Sequence, residues 1–218
     1  MNARILGLAA VLGALVRPPA AAAQVERLAG RLDERTRAAV TAIVDSVRAA
    51  GVPGDPLVNK ALEGASKGAD GARIVAAVRA LAAGLARARA ALGTGASEPE
   101  LVAGAAALRA GAAPSFLERL RGDFPREPLV VPLAVMADLV GRGVPPDTAA
   151  VSVLALVRAG VREADLVAFR QSVERDIALG APAGAAATAR AASVGDLATT
   201  GVPSTAGQTA PAPHPRKP

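Results

Sequence analysis

Few residues in this 218-residue chain are of a type and spacing that could do chemistry. The single histidine, His214, lies between Pro213 and Pro215 in a stretch with no helical or strand pattern. Acid–base work needs a held geometry, which such a stretch does not supply. With one histidine and no cysteine, the ligand sets of zinc sites cannot be assembled. A serine nucleophile needs a base, and no histidine precedes residue 214. HExxH does not occur; the letters GxSxG do occur at 64–68 (GASKG), but the only histidine that could serve Ser66 as a base is His214. The glycine-rich run 64–71 (GASKGADG) lacks the Gly-Lys-Ser/Thr order of a phosphate loop and reads as helix punctuation.

Carboxylates remain. Glu63 stands between Lys60 and Lys67 in the otherwise apolar KALEGASKG. Spacings of three and four put these charges on one helix face. Such a trio is either a solvated, salt-bridged surface or the carboxylate centre of a hydrolase of the kind glycosidases use. Sugar clefts also favour aromatic platforms. This chain has no Trp or Tyr and only Phe116, Phe124 and Phe169. The expectation is no catalytic residue, no metal and no cofactor, with Lys60, Glu63 and Lys67 as the one polar cluster worth locating.

The elements that would position any site are helical. Hydrophobic residues make up 51% of the chain, and alanine dominates them. Alanine is the best helix former, and β-folds use more Ile, Tyr, Phe and Thr. A short pattern recurs: glycine, then Val or Ala, four variable residues, then two adjacent aliphatic residues. It begins at Gly51, Gly68, Gly95, Gly143, Gly160 and, degenerately, Gly180, and at Gly111 with one residue removed. Glycine ends a helix by taking the left-handed conformation, and the apolar residue after it packs onto the last turn. The pattern is a helix–turn–helix joint.

Between joints, apolar periodicity predicts the helices. The first starts at Asp33 as N-cap and buries Val40, Ile43, Val44 and Val47. The second covers about 55–66, with Leu57, Val58, Ala61, Leu62 and Ala65 inward. The third, about 71–92, carries a heptad-like seam of Ile74, Val78, Leu81, Leu85, Ala88 and Leu92. Capping-box spacings at Ser97/Glu100 and Ser115/Glu118 predict helices over about 98–110 and 116–121. Another helix ends near Val140 and begins at 128 or 132, depending on Pro132. Asp147 is expected to cap a helix burying Ala150, Val153, Leu154 and Val157. The last strong helix, about 163–179, buries Leu166, Phe169, Val173 and Ile177.

Gly51 and Gly68 are 17 residues apart, Gly95 and Gly111 are 16, and Gly143 and Gly160 are 17. The pairs start 44 and 48 residues apart, close to the period of helical-hairpin repeats. The fold class is all-α. It is either a short solenoid-like array of hairpin units at about 51–92, 95–141 and 143–179, or a compact helical bundle reusing one turn. Gly180 would open a partial unit that caps the end.

The ends differ from the middle. Arg4, the 12-residue apolar run 5–16 and Ala21-Ala22-Ala23 read as a signal peptide over 1–23, leaving Gln24 first in the mature chain. That removes two arginines and no acid, so the formal charge falls from +6 to +4. No later run is apolar enough for a transmembrane segment, so a periplasmic or secreted protein is expected. Residues 194–218, rich in Pro, Ala, Thr and Gly, are expected to form a disordered tail. The helical domain is then 24–193. Charges of both signs are interspersed and no aromatic platform exists, which argues against nucleic acid.

The segment 51–68 (GVPGDPLVNKALEGASKG), with Arg73-Ile74-Val75 after it, resembles a recurring element of exported Ala-rich helical proteins from GC-rich bacteria. The likeness extends loosely over about 33–190. It implies an exported helical fold and no particular activity. The expected function is a non-enzymatic scaffold or adaptor that binds a protein or cell-envelope partner. The alternative is a carrier of a small apolar ligand in an alanine-lined core.

Overall fold

The computed structural model describes residues 26–200, with side chains described to 196. Residues 1–25, where the signal peptide is expected, and residues 201–218, which include His214, lie outside the described residues. Among those described there are nine helices and no strand. They are α1 (Glu34–Ala49), α2 (Asp55–Ser66), α3 (Gly71–Leu92), α4 (Glu98–Ala110), α5 (Pro114–Asp123), α6 (Val130–Gly141), α7 (Pro146–Arg158), α8 (Glu163–Ala178) and α9 (Ala183–Thr200). The chain divides into two compact units, 26–46 with 54–78, and 47–53 with 79–200.

In the first unit Asp33 caps α1. The backbone N–H of Thr36 donates to its Oδ1 at 2.9 Å and the Thr36 hydroxyl to its Oδ2 at 2.6 Å. The hydroxyl bond first, then the backbone one, holds the Asp33 carboxyl below the usual range. The core is Leu28, Val40, Val44, Leu57, Val58, Ala61, Ile74 and Val78. Ile43, Leu62 and Ala65 are only half-buried. Gly64 lets α3 approach α2: a Cβ there would stand 2.8 Å from Ile74 Cγ1.

In the second unit the helices pack with their next-but-one neighbours as well as adjacent ones. α4 packs on α6, α6 on α8, α5 on α7 and α7 on α9. Ion pairs follow the same steps: Arg158 to Asp123 at 2.7 Å joins α7 to α5, and Arg170 to Asp138 at 3.5 Å joins α8 to α6. α4 is buried on most sides, and a Cβ on Gly104 would meet Leu92, Ala88 and Leu117 at 3.1–3.2 Å.

The glycine joints share one geometry. Gly51, Gly68, Gly111, Gly143, Gly160 and Gly180 all have positive φ. In each, the glycine N–H reaches the carbonyl three residues back and the next N–H the carbonyl five back, at 2.8–3.2 Å. This is the Schellman closure, which satisfies carbonyls that a helix end leaves orphaned. Five of these glycines are followed by a helix start three residues later, at 71, 114, 146, 163 and 183. Val52, Ala112 and Val144, the apolar residues after three of them, are buried.

Several expectations need correction. Gly95 has no positive φ. Gly93 (φ 84) ends α3 instead, its N–H bonding Arg89 O at 2.9 Å, and Gly95 lies in the loop before Ser97. Ser115 does not cap α5, because Pro114 takes the first helical position and shifts the N-cap to Ala113. Pro146 does the same to Asp147, which sits inside the first turn of α7 behind N-cap Pro145. α6 starts at Val130, so Pro132 falls in the first turn, where no N–H partner is needed. The segment 95–141 holds the three helices its periodicity predicts, so it is not the two-helix hairpin unit expected from the glycine spacing. α9 runs to Thr200, past the boundary expected at 193. Val47, Leu81, Val157 and Ile177 are half-buried rather than buried.

Candidate functional site

The expected polar cluster is assembled on one face of α2. Lys60 Nζ donates to Glu63 Oε2 at 2.9 Å and Lys67 Nζ to Oε1 at 2.5 Å. Hydrogen bonds from Lys67 and then Lys60, with their charges, pull the Glu63 carboxyl down to about 2. An acid that protonates a leaving group needs a raised pKa. Glu63 is instead a permanently ionised, half-exposed surface carboxylate. It lines an open depression of about 720 Å³ together with Arg27, Arg31 and Asn59. Arg27 Nη2 donates to Asn59 Oδ1 at 3.0 Å across it.

A second polar cluster was not legible as a site in the sequence. Glu100 is nearly buried. Its Oε2 accepts from the Ser97 backbone N–H and hydroxyl, both at 2.8 Å, which makes the capping box of α4. Its Oε1 accepts from Arg121 Nη2 of α5 and from the Leu129 N–H at 3.1 Å. Arg121 Nη1 then donates to the carbonyls of Phe124, Pro125 and Glu127 at 3.2–3.4 Å. Burial alone would raise the Glu100 pKa, but the bonds from Ser97, Arg121 and Leu129 together outweigh it and hold it below the usual value. Arg121 Nε is buried without a hydrogen-bond partner. Its other nitrogens are spent on Glu100 and on the carbonyls of the 124–129 connection. The cluster clasps a turn; it presents nothing to a substrate. One signal for it was available: the connection after α5 contains no glycine able to close it.

The third feature is an open groove of about 530 Å³ between α7 and α9. Val151 and Ala155 of α7 and Ala191 and Ala192 of α9 make its apolar walls, with Thr148, Ser152 and Thr188 among them. Asp147 and Asp196 stand at its ends. Val151 is 68% exposed, because it lies off the buried stripe of Ala149, Ala150, Val153, Leu154 and Leu156.

Among the described residues no group of three or more His, Cys, Asp or Glu side chains is arranged to hold a metal ion. No described helix is long and apolar enough to cross a membrane. In comparisons with known proteins, no family model, no curated protein and no solved structure matches this chain.

Proposed function

We propose that the protein is an exported, non-enzymatic helical scaffold whose α7/α9 face binds a protein or cell-envelope partner. The observation that carries this reading is the groove. Next-but-one packing of helices is how repeat arrays build extended recognition surfaces. Here it leaves an apolar trough with an exposed valine, the sort of surface soluble proteins keep for partners. The ionised state of Glu63 and the structural use of Glu100 support a chain without catalysis. The close contacts at Gly104, and at Gly84 where a Cβ would meet Ala105 at 3.4 Å, favour a packed scaffold over a carrier with an internal ligand.

The test is a photo-crosslinking residue at Val151 in the native host, with Glu118 on α5 as the exposed control. The expected result is a discrete adduct from position 151 in the exported fraction and none from 118. No adduct from 151, or the same adducts from both positions, overturns the reading. Sequencing the exported protein checks the other half: it should begin at or near Gln24.

A further inference from the structure

We propose that the depression beside α2 binds a phosphate ester, with Arg31 as its principal anchor. The depression lies wholly within the first unit and shares no residue with the α7/α9 groove. One wall is the turn 26–32. Leu28 is fully buried and pins that turn to the core, and the N–H groups of Arg31 and Leu32 both close on its carbonyl at 3.2–3.3 Å. Gly30, at φ 69, makes the bend between them. Arg27 and Arg31 therefore stand on a fixed backbone. The other wall is α2, which contributes Asn59, Leu62, Glu63 and Ala65.

The charges do not balance. Glu63 pairs with both Lys60 and Lys67, so the α2 wall carries two ammoniums for one carboxylate. Arg27 donates to Asn59 and lies 4.0 Å from Asp55. The Arg31 side chain is exposed and has no partner among the described residues. Counting the lining charges and the groups they pair with, four cations face two carboxylates. A concave surface focuses the field of that excess and draws anions to it.

The form of the anion follows from the groups on offer. A guanidinium is a planar fork of donors that fits a phosphate with two parallel bonds. A phosphate monoester carries close to two negative charges near neutrality, which matches an excess of two. Glu63 repels a phosphate itself and serves by fixing the two ammoniums beside it. The depression, at about 720 Å³, is larger than a phosphate group needs. Its half-buried Leu62 and Ala65 offer apolar contact to the organic part of an ester. No aromatic side chain lines it, so it has no platform for a nucleic-acid base.

The test titrates purified protein with two probes, glycerol phosphate and vesicles of phosphatidylcholine containing phosphatidic acid. The parent should bind, and Arg31→Ala should weaken binding about tenfold, the worth of one charge-assisted hydrogen bond. Because that side chain bonds nothing described, its removal should leave the fold intact. Arg35→Ala takes the same charge from exposed α1, outside the depression, and should change affinity by less than about twofold at physiological salt. Binding of glycerol phosphate assigns a free phosphate ester, and Arg31-dependent binding of the vesicles alone assigns a lipid headgroup. Equal losses in the two variants, or no binding of either probe by the parent, overturn the proposal. The readout involves neither α7 nor α9, so its failure is separate from failure of the crosslinking experiment at Val151.

Discussion

Two kinds of joint contrast among the described helices. Six are closed by backbone alone, with a glycine at positive φ and the paired Schellman hydrogen bonds. The joint from α5 to α6 has no residue at positive φ and is closed by side chains, the Glu100 carboxylate and the Arg121 guanidinium. The first kind depends on one conformation and tolerates most changes around it. The second depends on a charge pair taken almost out of water, where losing one partner strands the other. Backbone closure is therefore local, while the 124–129 joint draws on α4, α5 and the start of α6 together.

The largest effect should come from breaking the side-chain joint. Arg121→Ala leaves Glu100 nearly buried without its counter-charge and frees three carbonyls. A loss of about 3 kcal/mol is expected for a broken buried pair. Thermal unfolding should register it as roughly 6–12 °C, given about 2–4 °C per kcal/mol at this size. Arg121→Lys should recover little, since an ammonium cannot span the carboxylate and the carbonyls as the guanidinium fork does. A loss below that of the glycine variants would show that the joint is held otherwise.

The glycine joints come next. At Gly143 (φ 90) there is open space where a Cβ would go, so Gly143→Ala costs only the left-handed strain, about 1–2 kcal/mol. At Gly111 (φ 115) the added Cβ also meets Pro146 Cγ at 3.1 Å, and Gly111→Ala should cost more than Gly143→Ala. Gly95→Ala, with neither strain nor a neighbour within 4 Å, should fall within about 0.5 kcal/mol of the parent. Chemical denaturation of the three variants ranks them directly.

A pH series sharpens the comparison. The folded pKa of Glu100 lies below its ordinary value of 4.5, so the carboxylate binds fewer protons folded than unfolded. Its stabilisation is complete above the unfolded pKa and is lost as pH falls through the folded one. The stability gap between parent and Glu100→Gln should be constant near neutrality and narrow below about pH 4.5. The gap between parent and Gly143→Ala should show no such narrowing, because no proton is involved.

The two joints also explain what could be read in advance. The all-α class and most helix bounds were legible because glycine followed by Val or Ala is a local signal with a local cause. Gly95 misled because the pattern match ignored Gly93, which had already ended α3. Ser115 and Asp147 misled because proline at the first helical position outranks a polar side chain one residue later. The clasp was half-visible: Ser97 and Glu100 announced a capping box, but Arg121 is 21 residues away, and no spacing rule links it to the other Glu100 oxygen. All three helices within 95–141 were legible from capping and periodicity, but counting glycines grouped them as one hairpin unit, because the α5–α6 joint carries no glycine to count. The α7/α9 groove depends on which helices become next-but-one neighbours, a property no single helix encodes.

The smallest expected effect concerns the one polar cluster the sequence did single out. Glu63, Lys60 and Lys67 form their bonds as spaced, yet all three side chains remain substantially in water. Exposed pairs of this kind contribute little, since solvent screens them and ordering the lysines offsets the attraction. Glu63→Gln should leave the unfolding midpoint unchanged within error, in contrast to Glu100→Gln. The carboxyl resonance of Glu63 should titrate below that of an ordinary glutamate, and Lys67→Met should move it back upward, since Lys67 is its strongest partner. A midpoint above the ordinary value would contradict the geometry and reopen Glu63 as an acid. One carboxylate ties remote elements together and the other decorates a single turn. That difference in what each side chain spans, rather than in charge or chemistry, sets which of them the fold depends on.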